Sequence, residues 1–273
     1  MRSQGKTYPR TLLQPRDLEL LHLLANEFVL LTRAQVRKLF PERSIRRTNF
    51  RLRRLIQAGY LSRRYPAGLF AAQLPLYHVG PRAAEALGLA PDDPKLRLRR
   101  TQALHLRDGA LPHLLEVNSA HLKFRSADRD YPDYELVNWI PQHAPIWRAL
   151  NDFGFPLHPD GYAEVRQASQ LGRFFIEIDR GSERGTVIPR KLAAYAEYAR
   201  SGRFQVHFSA PDFRVLFIAP GARRARSLLA LMRRTPADIF AVITAQEFFQ
   251  SPLLDAHWKC PGSELPHALL ISL

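Results

Sequence analysis

Four ionisable side chains in the middle of the chain have the types and spacing needed to bind a metal and activate water. Asp160 follows a proline at the start of a strand-like segment, and Glu177 and Asp179 alternate with apolar residues on the next such segment. Because strand side chains two positions apart point the same way, the two acids share one face. Asp160 approaches Glu177 if the strands pair as a hairpin. Clustered carboxylates bind Mg²⁺, which can then activate water for attack on a phosphate.

Lys191 is the residue that we predict to complete this chemistry. It lies in or just before the helix that follows the second strand, where a lysine can orient or deprotonate the attacking water. In the alternative interpretation the acids are simply solvated, and Asp179 forms a local ion pair with Arg180 worth under about 1 kcal/mol. The predicted catalytic residues are therefore Asp160, Glu177, Asp179 and Lys191, and the first two are predicted metal ligands.

A basic and aromatic set lies on the third predicted helix of the amino-terminal region. Advancing 100° per residue places one group on the core side: Ile45, Thr48, Leu52, Leu55, Ile56 and Gly59. The opposite side collects Arg46, Arg47, Phe50, Arg53 and Arg54. Arginine can bind phosphate or pair with guanine in the major groove, and an apolar side chain can contact a thymine methyl. The alternative is a solvated basic face, with Phe50 packed against a wing or another subunit.

The elements that position this face form a predicted helix-turn-helix. The first helix follows Pro15 and ends near Asn26. Thr32, with Gln35 three residues later, resembles a capping box for the second helix, which Pro41 ends. Ser44 is the predicted cap of the third helix, which runs to the Ala58-Gly59 pair.

Two strand-like segments after the third helix predict a wing. They span residues 60–65 and 74–79, and the Pro66-Ala67-Gly68 turn region lies between them. Arg63 and Arg64 lie on the first segment, where wing arginines contact phosphates and position a protein on DNA without reading its sequence. A short fourth helix over residues 81–87 ends at Gly88.

The remaining chain predicts a second domain of mixed architecture. Between residues 157 and 244 the elements follow the order hairpin, helix, strand, helix, strand, which favours a mixed sheet flanked by helices. We therefore predict an α/β fold, α+β overall, with a winged helix-turn-helix over residues 11–90. A basic linker over 91–103 leads to the mixed-sheet domain over 104–273.

The charge of the chain is concentrated in its first third. Residues 1–100 carry 20 Lys and Arg against 7 Asp and Glu, whereas residues 101–273 carry 20 against 18. Such asymmetry favours nucleic acid as a partner, because neutralised phosphates release counterions. With no stretch of eighteen apolar residues and no signal peptide, we expect a cytoplasmic protein without membrane association. The single Cys260 excludes an intrachain disulfide and a zinc site of several cysteines.

Several segments resemble the replication-relaxation family of plasmid and mobile-element proteins. In the second domain they are Pro159-Asp160, then Glu177-Ile178-Asp179-Arg180-Gly181-Ser182-Glu183, then Lys191-Leu192 and Tyr195. In the first they are Leu52-Arg53-Arg54-Leu55 through Ala58-Gly59-Tyr60-Leu61. Together the resemblance covers about residues 12–235. It implies a protein that binds double-stranded DNA in the replication, maintenance or regulation of a mobile element.

The second domain is also similar to the PD-(D/E)XK nuclease superfamily, which has a restriction-endonuclease-like fold. The resemblance makes Asp160 the first metal-binding aspartate, Glu177 the second acid and Glu116 a third carboxylate, with Mg²⁺ as cofactor if the site is active. The superfamily has a lysine two residues after the second acid, where this chain has Asp179. Lys191 from the next helix could take that place.

Two functions stay open from the sequence. One is a binding module, whose nuclease-like domain has lost its activity and serves DNA contact or self-association. The other is a metal-dependent, site-specific DNA endonuclease or nickase, targeted by the winged helix. A homodimer would fit paired DNA half-sites, although no coiled-coil heptads require one.

Overall fold

The structure, a computed structural model, divides into two compact units, residues 1–122 and 123–273. It describes residues 8–9, 11–41, 43–66, 75–152, 154, 157–181, 186–263, 265 and 267–270. Parts of three sequence predictions lie outside these described residues. They are Ala67 and Gly68 of the wing turn, Leu74 of the second wing strand, and Ser182 and Glu183 of the family motif.

The elements of the first unit, in chain order, are α1 (Pro15–Asn26), β1 (Leu31–Thr32), α2 (Arg33–Leu39), α3 (Ile45–Gln57), β2 (Leu61–Arg64), β3 (Leu76–Val79), α4 (Ala83–Ala86), α5 (Pro94–His105) and α6 (Leu111–Arg125), which crosses the division. The second unit has β4 (Tyr134–Pro141), α7 (Pro145–Asp152), β5 (Gly161–Gln167), β6 (Gln170–Ile178), α8 (Val187–Arg200), α9 (Arg203–Phe208), β7 (Arg214–Ala219), α10 (Ala222–Met232), β8 (Phe240–Thr244) and α11 (Ala245–Gln250). None of the described helices has both the length and the apolar character required to cross a membrane.

The three predicted amino-terminal helices are present, with the caps that the sequence indicates. The Thr32 hydroxyl accepts from the Gln35 backbone N–H at 3.1 Å, and the Gln35 side chain accepts in return from Thr32. The Ser44 hydroxyl accepts from the Arg47 N–H and so caps α3. These bonds satisfy backbone donors that a helix start leaves unpaired, which fixes where α2 and α3 begin.

One face of α3 packs into the core of the first unit, as predicted, except at its first residue. Thr48, Leu52 and Leu55 are buried, and the two leucines join the apolar core built by α1. Ile45 was predicted to face this core but is 50% exposed. The buried stripe begins at Thr48, almost one turn into the helix, so the first turn of α3 contributes its apolar side chain to the surface instead.

A small three-stranded sheet completes the first unit. Its order is β1-β3-β2, and both outer strands run antiparallel to β3. The elements of this unit follow the succession helix, strand, helix, helix, strand, strand, and the winged helix stays a prediction. Gly80, just after β3, lies so close to the end of α3 that an added Cβ would stand 2.3 Å from the Gly59 carbonyl oxygen. Glycine is therefore required where the sheet meets α3.

The structure differs from the basic linker predicted at residues 91–103, because most of that segment is helix α5. The Asp93 carboxylate caps it by accepting from the Leu96 N–H, and Pro94 occupies its first turn, a position that proline favours. Arg99 is 7% exposed and donates to the carbonyl oxygens of Ala25 and Asn26 at 3.0 and 2.8 Å. These contacts make α5 part of the first unit.

The second unit is built on a mixed five-stranded sheet, which confirms the predicted architecture. The strand order is β4-β5-β6-β7-β8, antiparallel from β4 to β6 and parallel from β6 to β8. Helix α8 follows β6 and α10 follows β7, as the sequence indicated. The edge strand β4 was not predicted. Most of its residues are partly exposed, so its sequence lacks the clean alternation of a half-buried strand.

The apolar core of the second unit lies between this sheet and α8 and α10. Phe175 from β6 and Phe217 from β7 contribute to it, together with Leu192 from α8 and Leu228 from α10. These strand residues have odd numbers, as does Glu177. Because alternate residues of a strand share a face, the carboxylate of Glu177 is carried to the side of the sheet that α8 covers.

Candidate functional site

Asp160 is fastened to strand β6 by its backbone and its side chain. Its N–H donates to the Ile176 carbonyl oxygen at 3.0 Å, and its Oδ2 accepts from the Ile178 N–H at 2.7 Å. Both bonds flank Glu177 in the chain. The predicted pairing of the two strands is therefore present, and it brings the buried carboxylate of Asp160 beside the segment that carries Glu177.

Both oxygens of Glu177 accept hydrogen bonds from helix α8. The Lys191 Nζ donates to Oε2 at 2.8 Å, and the Tyr195 hydroxyl donates to Oε1 at 2.6 Å. Lys191 and Tyr195 are four residues apart and so project from the same face of the helix. Glu177 is 2% exposed and Tyr195 is fully buried, whereas Lys191 remains 25% exposed. Lys191 thus reaches the acid as the sequence predicted, and its catalytic role stays a prediction.

The electrostatics of Glu177 follow from its burial. Burial raises its pKa from 4.5 to about 7, the Lys191 ammonium lowers the pKa, and the neighbouring charge of Asp160 raises it. The pKa of the Tyr195 hydroxyl lies well above 10, because the group is buried and faces the charge of Glu177. Tyr195 is therefore a neutral donor near pH 7, while Glu177 can exchange a proton there.

Asp179 has a different environment from Glu177. Its carboxylate accepts from the guanidinium of Arg224 on α10, and Oδ1 also accepts from the Gly181 N–H at 2.7 Å. This ion pair joins residues that are 45 positions apart in the chain. Asp179 therefore attaches the end of β6 to α10, and its catalytic role stays a prediction.

The donor set does not fit a divalent metal in this arrangement. Mg²⁺ requires near-octahedral oxygen coordination. The two oxygens of Glu177 already accept from Lys191 and Tyr195, and one oxygen of Asp160 accepts from a backbone N–H. Within the described parts of the chain, no group of three His, Cys, Asp or Glu side chains is placed to hold an ion. Glu116 lies on α6, in the part of that helix that belongs to the first unit, and its role as a third carboxylate stays a prediction.

The outward face of α3 in the first unit carries the predicted basic and aromatic set. Its members are all exposed: Arg46, Arg47, Phe50, Arg53 and Arg54. Phe50 is 60% exposed, and the Arg54 guanidinium carbon lies 6.0 Å from the centre of its ring. We call these five residues the α3 basic face. Packing of Phe50 against the wing, one of the two alternatives, is not seen among the described residues.

Arg51 holds α3 in place and belongs to neither face predicted from the sequence. Its Nε donates to Asp17 Oδ1 at 2.9 Å, and the same guanidinium donates to the Leu12 carbonyl oxygen at 2.7 Å. Asp17 is buried near the start of α1, where its other oxygen accepts from the Gln14 N–H. This ion pair fixes α3 against α1, and the position of the exposed arginines follows from it.

The two arginines predicted to act on the wing have different positions. Arg63 is exposed, and its guanidinium carbon stands 5.4 Å from the centre of the Tyr65 ring. Arg64 donates instead to the Ala103 carbonyl oxygen at 2.9 Å and forms an ion pair with Asp108. Alternate strand residues face opposite ways, and Arg64 attaches the strand to its own unit, so that only Arg63 is exposed; the DNA contacts of both arginines stay predictions.

The chain was compared with protein families, curated proteins and solved structures. The profile of a family described as replication-relaxation matches residues 21–209. No curated protein matches the chain. Two solved structures of restriction endonuclease FokI, the first described as bound to DNA, show 12% and 11% identity. They cover 88% and 86% of this chain, which spans 45% and 43% of theirs, less than half. Their TM-scores are 0.28 and 0.30.

Proposed function

This chain belongs to the replication-relaxation family, and from that premise we propose that it binds double-stranded DNA in the replication or maintenance of a plasmid or other mobile element. The observation that carries the proposal is the α3 basic face. It lies on the helix that follows the turn of a helix-turn-helix, which in such proteins enters the major groove.

The charge on α3 supports a polyanionic partner. The helix contains five arginines and no acidic residue, and one of the five, Arg51, is used to hold the helix in the unit. The other four are exposed. Like charges on one helix repel each other, so their concentration destabilises the free protein slightly. Binding to phosphates relieves this repulsion and releases counterions.

Phe50 and Arg63 extend the surface in ways that suit a duplex. An exposed phenylalanine among arginines offers an apolar contact for a thymine methyl group. Arg63 offers a phosphate contact from β2, the strand that follows α3. A homodimer would present two such surfaces to paired half-sites.

We do not extend the proposal to Mg²⁺-dependent cleavage. The approach of Lys191 to Glu177 favours a nuclease-like site, but both oxygens of that carboxylate are engaged and a third ligand is not assembled among the described residues. Supercoiled plasmid carrying the element's origin tests this directly. We expect no nicking in Mg²⁺ beyond that in chelator. Mg²⁺-dependent nicking that Asp160→Ala abolishes would establish cleavage instead.

The binding proposal is tested by the affinity of the full chain for labelled DNA duplexes as a function of salt. Arg46→Ala with Arg53→Ala removes two charges from the α3 basic face, and Arg97→Ala with Arg233→Ala removes two exposed charges elsewhere as a matched control. We expect the first pair to weaken binding about 30-fold or more and to reduce the salt slope by about two, with little change in the control. Equal losses in both would contradict the assignment to α3.

A further inference from the structure

A cation of the same chain, the Lys191 ammonium, lies beside the two neighbouring acids of the second unit, Asp160 and Glu177. The Nζ of Lys191 lies 2.8 Å from Oε2 of Glu177, whose other oxygen accepts from the buried Tyr195 hydroxyl. Asp160 adds a second carboxylate close enough to act electrostatically on Glu177. Repulsion between two neighbouring carboxylates is relieved by a proton or by a cation, and a divalent metal is a common cation at such pairs in proteins. Here an ammonium group contacts the buried acid.

Lys191 is suited to this role by its length and its helix position. It stands one turn before Tyr195 on α8, so one helical face delivers both the ammonium and the hydroxyl to the same carboxylate. Its ammonium reaches a carboxylate that is 2% exposed, while the side chain as a whole remains 25% exposed. The side chain of Lys191 therefore extends from the protein surface to the buried carboxylate.

A divalent ion and this ammonium cannot share Glu177 without cost. Both would approach oxygens of one small carboxylate, and a dication beside a bound ammonium meets direct repulsion in an environment that water screens poorly. Asp160 alone is too small a donor set for a divalent ion, which requires several oxygen ligands, and one of its two oxygens already accepts from the Ile178 N–H. Access of a metal to the pair thus requires that Lys191 leave.

We infer that Lys191 replaces a divalent metal at the Asp160–Glu177 pair, so that the second unit is assembled with a permanent internal cation and binds no metal there. The inference does not depend on the DNA-binding role of α3. A protein that bound both DNA and metal would overturn it and leave the proposed function intact.

The experiment measures Mn²⁺ binding to the full chain from the signal of free Mn²⁺ in electron paramagnetic resonance, and the melting temperature in Mn²⁺ and in chelator. We expect the natural protein to bind no Mn²⁺ at this pair and to melt at the same temperature in both. Lys191→Met removes the charge and keeps the chain length, and should bind Mn²⁺ about tenfold tighter or more and melt higher with the metal.

Three controls make the result specific. Lys191→Arg keeps a cation and should stay insensitive to Mn²⁺. Arg190→Met deletes a neighbouring exposed charge of the same helix and should behave like the natural protein. Adding Asp160→Asn to Lys191→Met should abolish the gain in Mn²⁺ affinity, since it removes one carboxylate of the pair.

The Mn²⁺-binding results can support or overturn the inference. Mn²⁺ binding by the natural protein that Asp160→Asn abolishes would overturn the inference, as would Lys191→Met that binds Mn²⁺ no better than the natural protein. If Lys191→Met is unfolded in chelator, circular dichroism on adding Mn²⁺ replaces the melting measurement. Recovery of the folded signal then supports metal replacement, and failure to recover it contradicts it.

Discussion

The two units of this protein use charged residues in opposite ways. On the α3 basic face of the first unit, four arginines and a phenylalanine are exposed on a helix without acidic residues. In the second unit, Glu177 is buried and both of its oxygens are bonded to side chains of the same chain. Charge left on the surface is available to a partner, whereas charge satisfied internally contributes to the fold. The same type of substitution should therefore change binding in one unit and stability in the other.

The largest effect should come from removing all four exposed arginines of α3. Substitution of Arg46, Arg47, Arg53 and Arg54 by alanine should weaken duplex affinity about 1000-fold, near 4 kcal/mol, since each lost contact is worth about 1 kcal/mol or more. Binding measured by fluorescence anisotropy tests this. The urea midpoint should stay close to that of the natural protein. A large loss of stability would mean that these arginines, too, serve the fold.

Deleting one charge from each region sharpens the comparison. Lys191→Met leaves a buried carboxylate without its cation and should lower the free energy of unfolding by about 3 kcal/mol. Arg53→Met, on the exposed face, should change it by under about 0.5 kcal/mol. Urea denaturation followed by circular dichroism measures both. Similar losses from the two variants would remove the distinction between the regions.

The pH dependence of stability should also differ between the regions. The folded-state pKa of Glu177 is raised to about 7 from 4.5, so its contribution is fully present below pH 4.5 and is lost as pH rises through about 7. Glu177→Gln cannot titrate, and its stability relative to the natural protein should improve by about 3 kcal/mol across that window. Unfolding measured at several pH values checks this. A constant difference between the two proteins would contradict the raised pKa.

The smallest effect should come from Phe50. Because its ring is 60% exposed, Phe50→Ala should change the free energy of unfolding by under about 0.5 kcal/mol. Duplex affinity should fall about fivefold, near 1 kcal/mol, from the lost apolar contact with a base. If sedimentation shows a loss of self-association instead, the ring serves contact with another subunit, the alternative that the sequence left open.

Much of the fold could be predicted because its signals are local. The Thr32–Gln35 capping box and the Ser44 cap fix helix starts through contacts within three residues. The order of strands and helices in the second unit follows from short apolar runs. The strand β1 has only two residues, and α5 begins with Pro94 after two acids that suggested a linker. The sequence patterns of β1 and of the start of α5 cannot be distinguished from that of a loop.

The sequence predicts only those contacts of the site that join elements next to each other in the chain. Lys191 reaches Glu177 from the next helix, 14 residues on, and the chemistry of water activation predicts a lysine near such an acid. Arg51 and Arg224 pair with acids 34 and 45 residues away, and nothing in their own segments distinguishes them from exposed arginines. The spacing of four residues from Lys191 could have indicated that Tyr195 also contacts Glu177. An aromatic ring at that position is equally typical of the core.

The Arg51–Asp17 ion pair separates the residue that holds α3 in place from the residues on its exposed face. The ion pair with Asp17 fixes the helix from its inner side, and the exposed side chains take no part in that bond. Replacement of an exposed arginine of α3 leaves the Arg51–Asp17 ion pair intact. If α3 binds DNA as proposed, exchange of its exposed side chains can change the target sequence during evolution, while the Arg51–Asp17 ion pair keeps the helix in place.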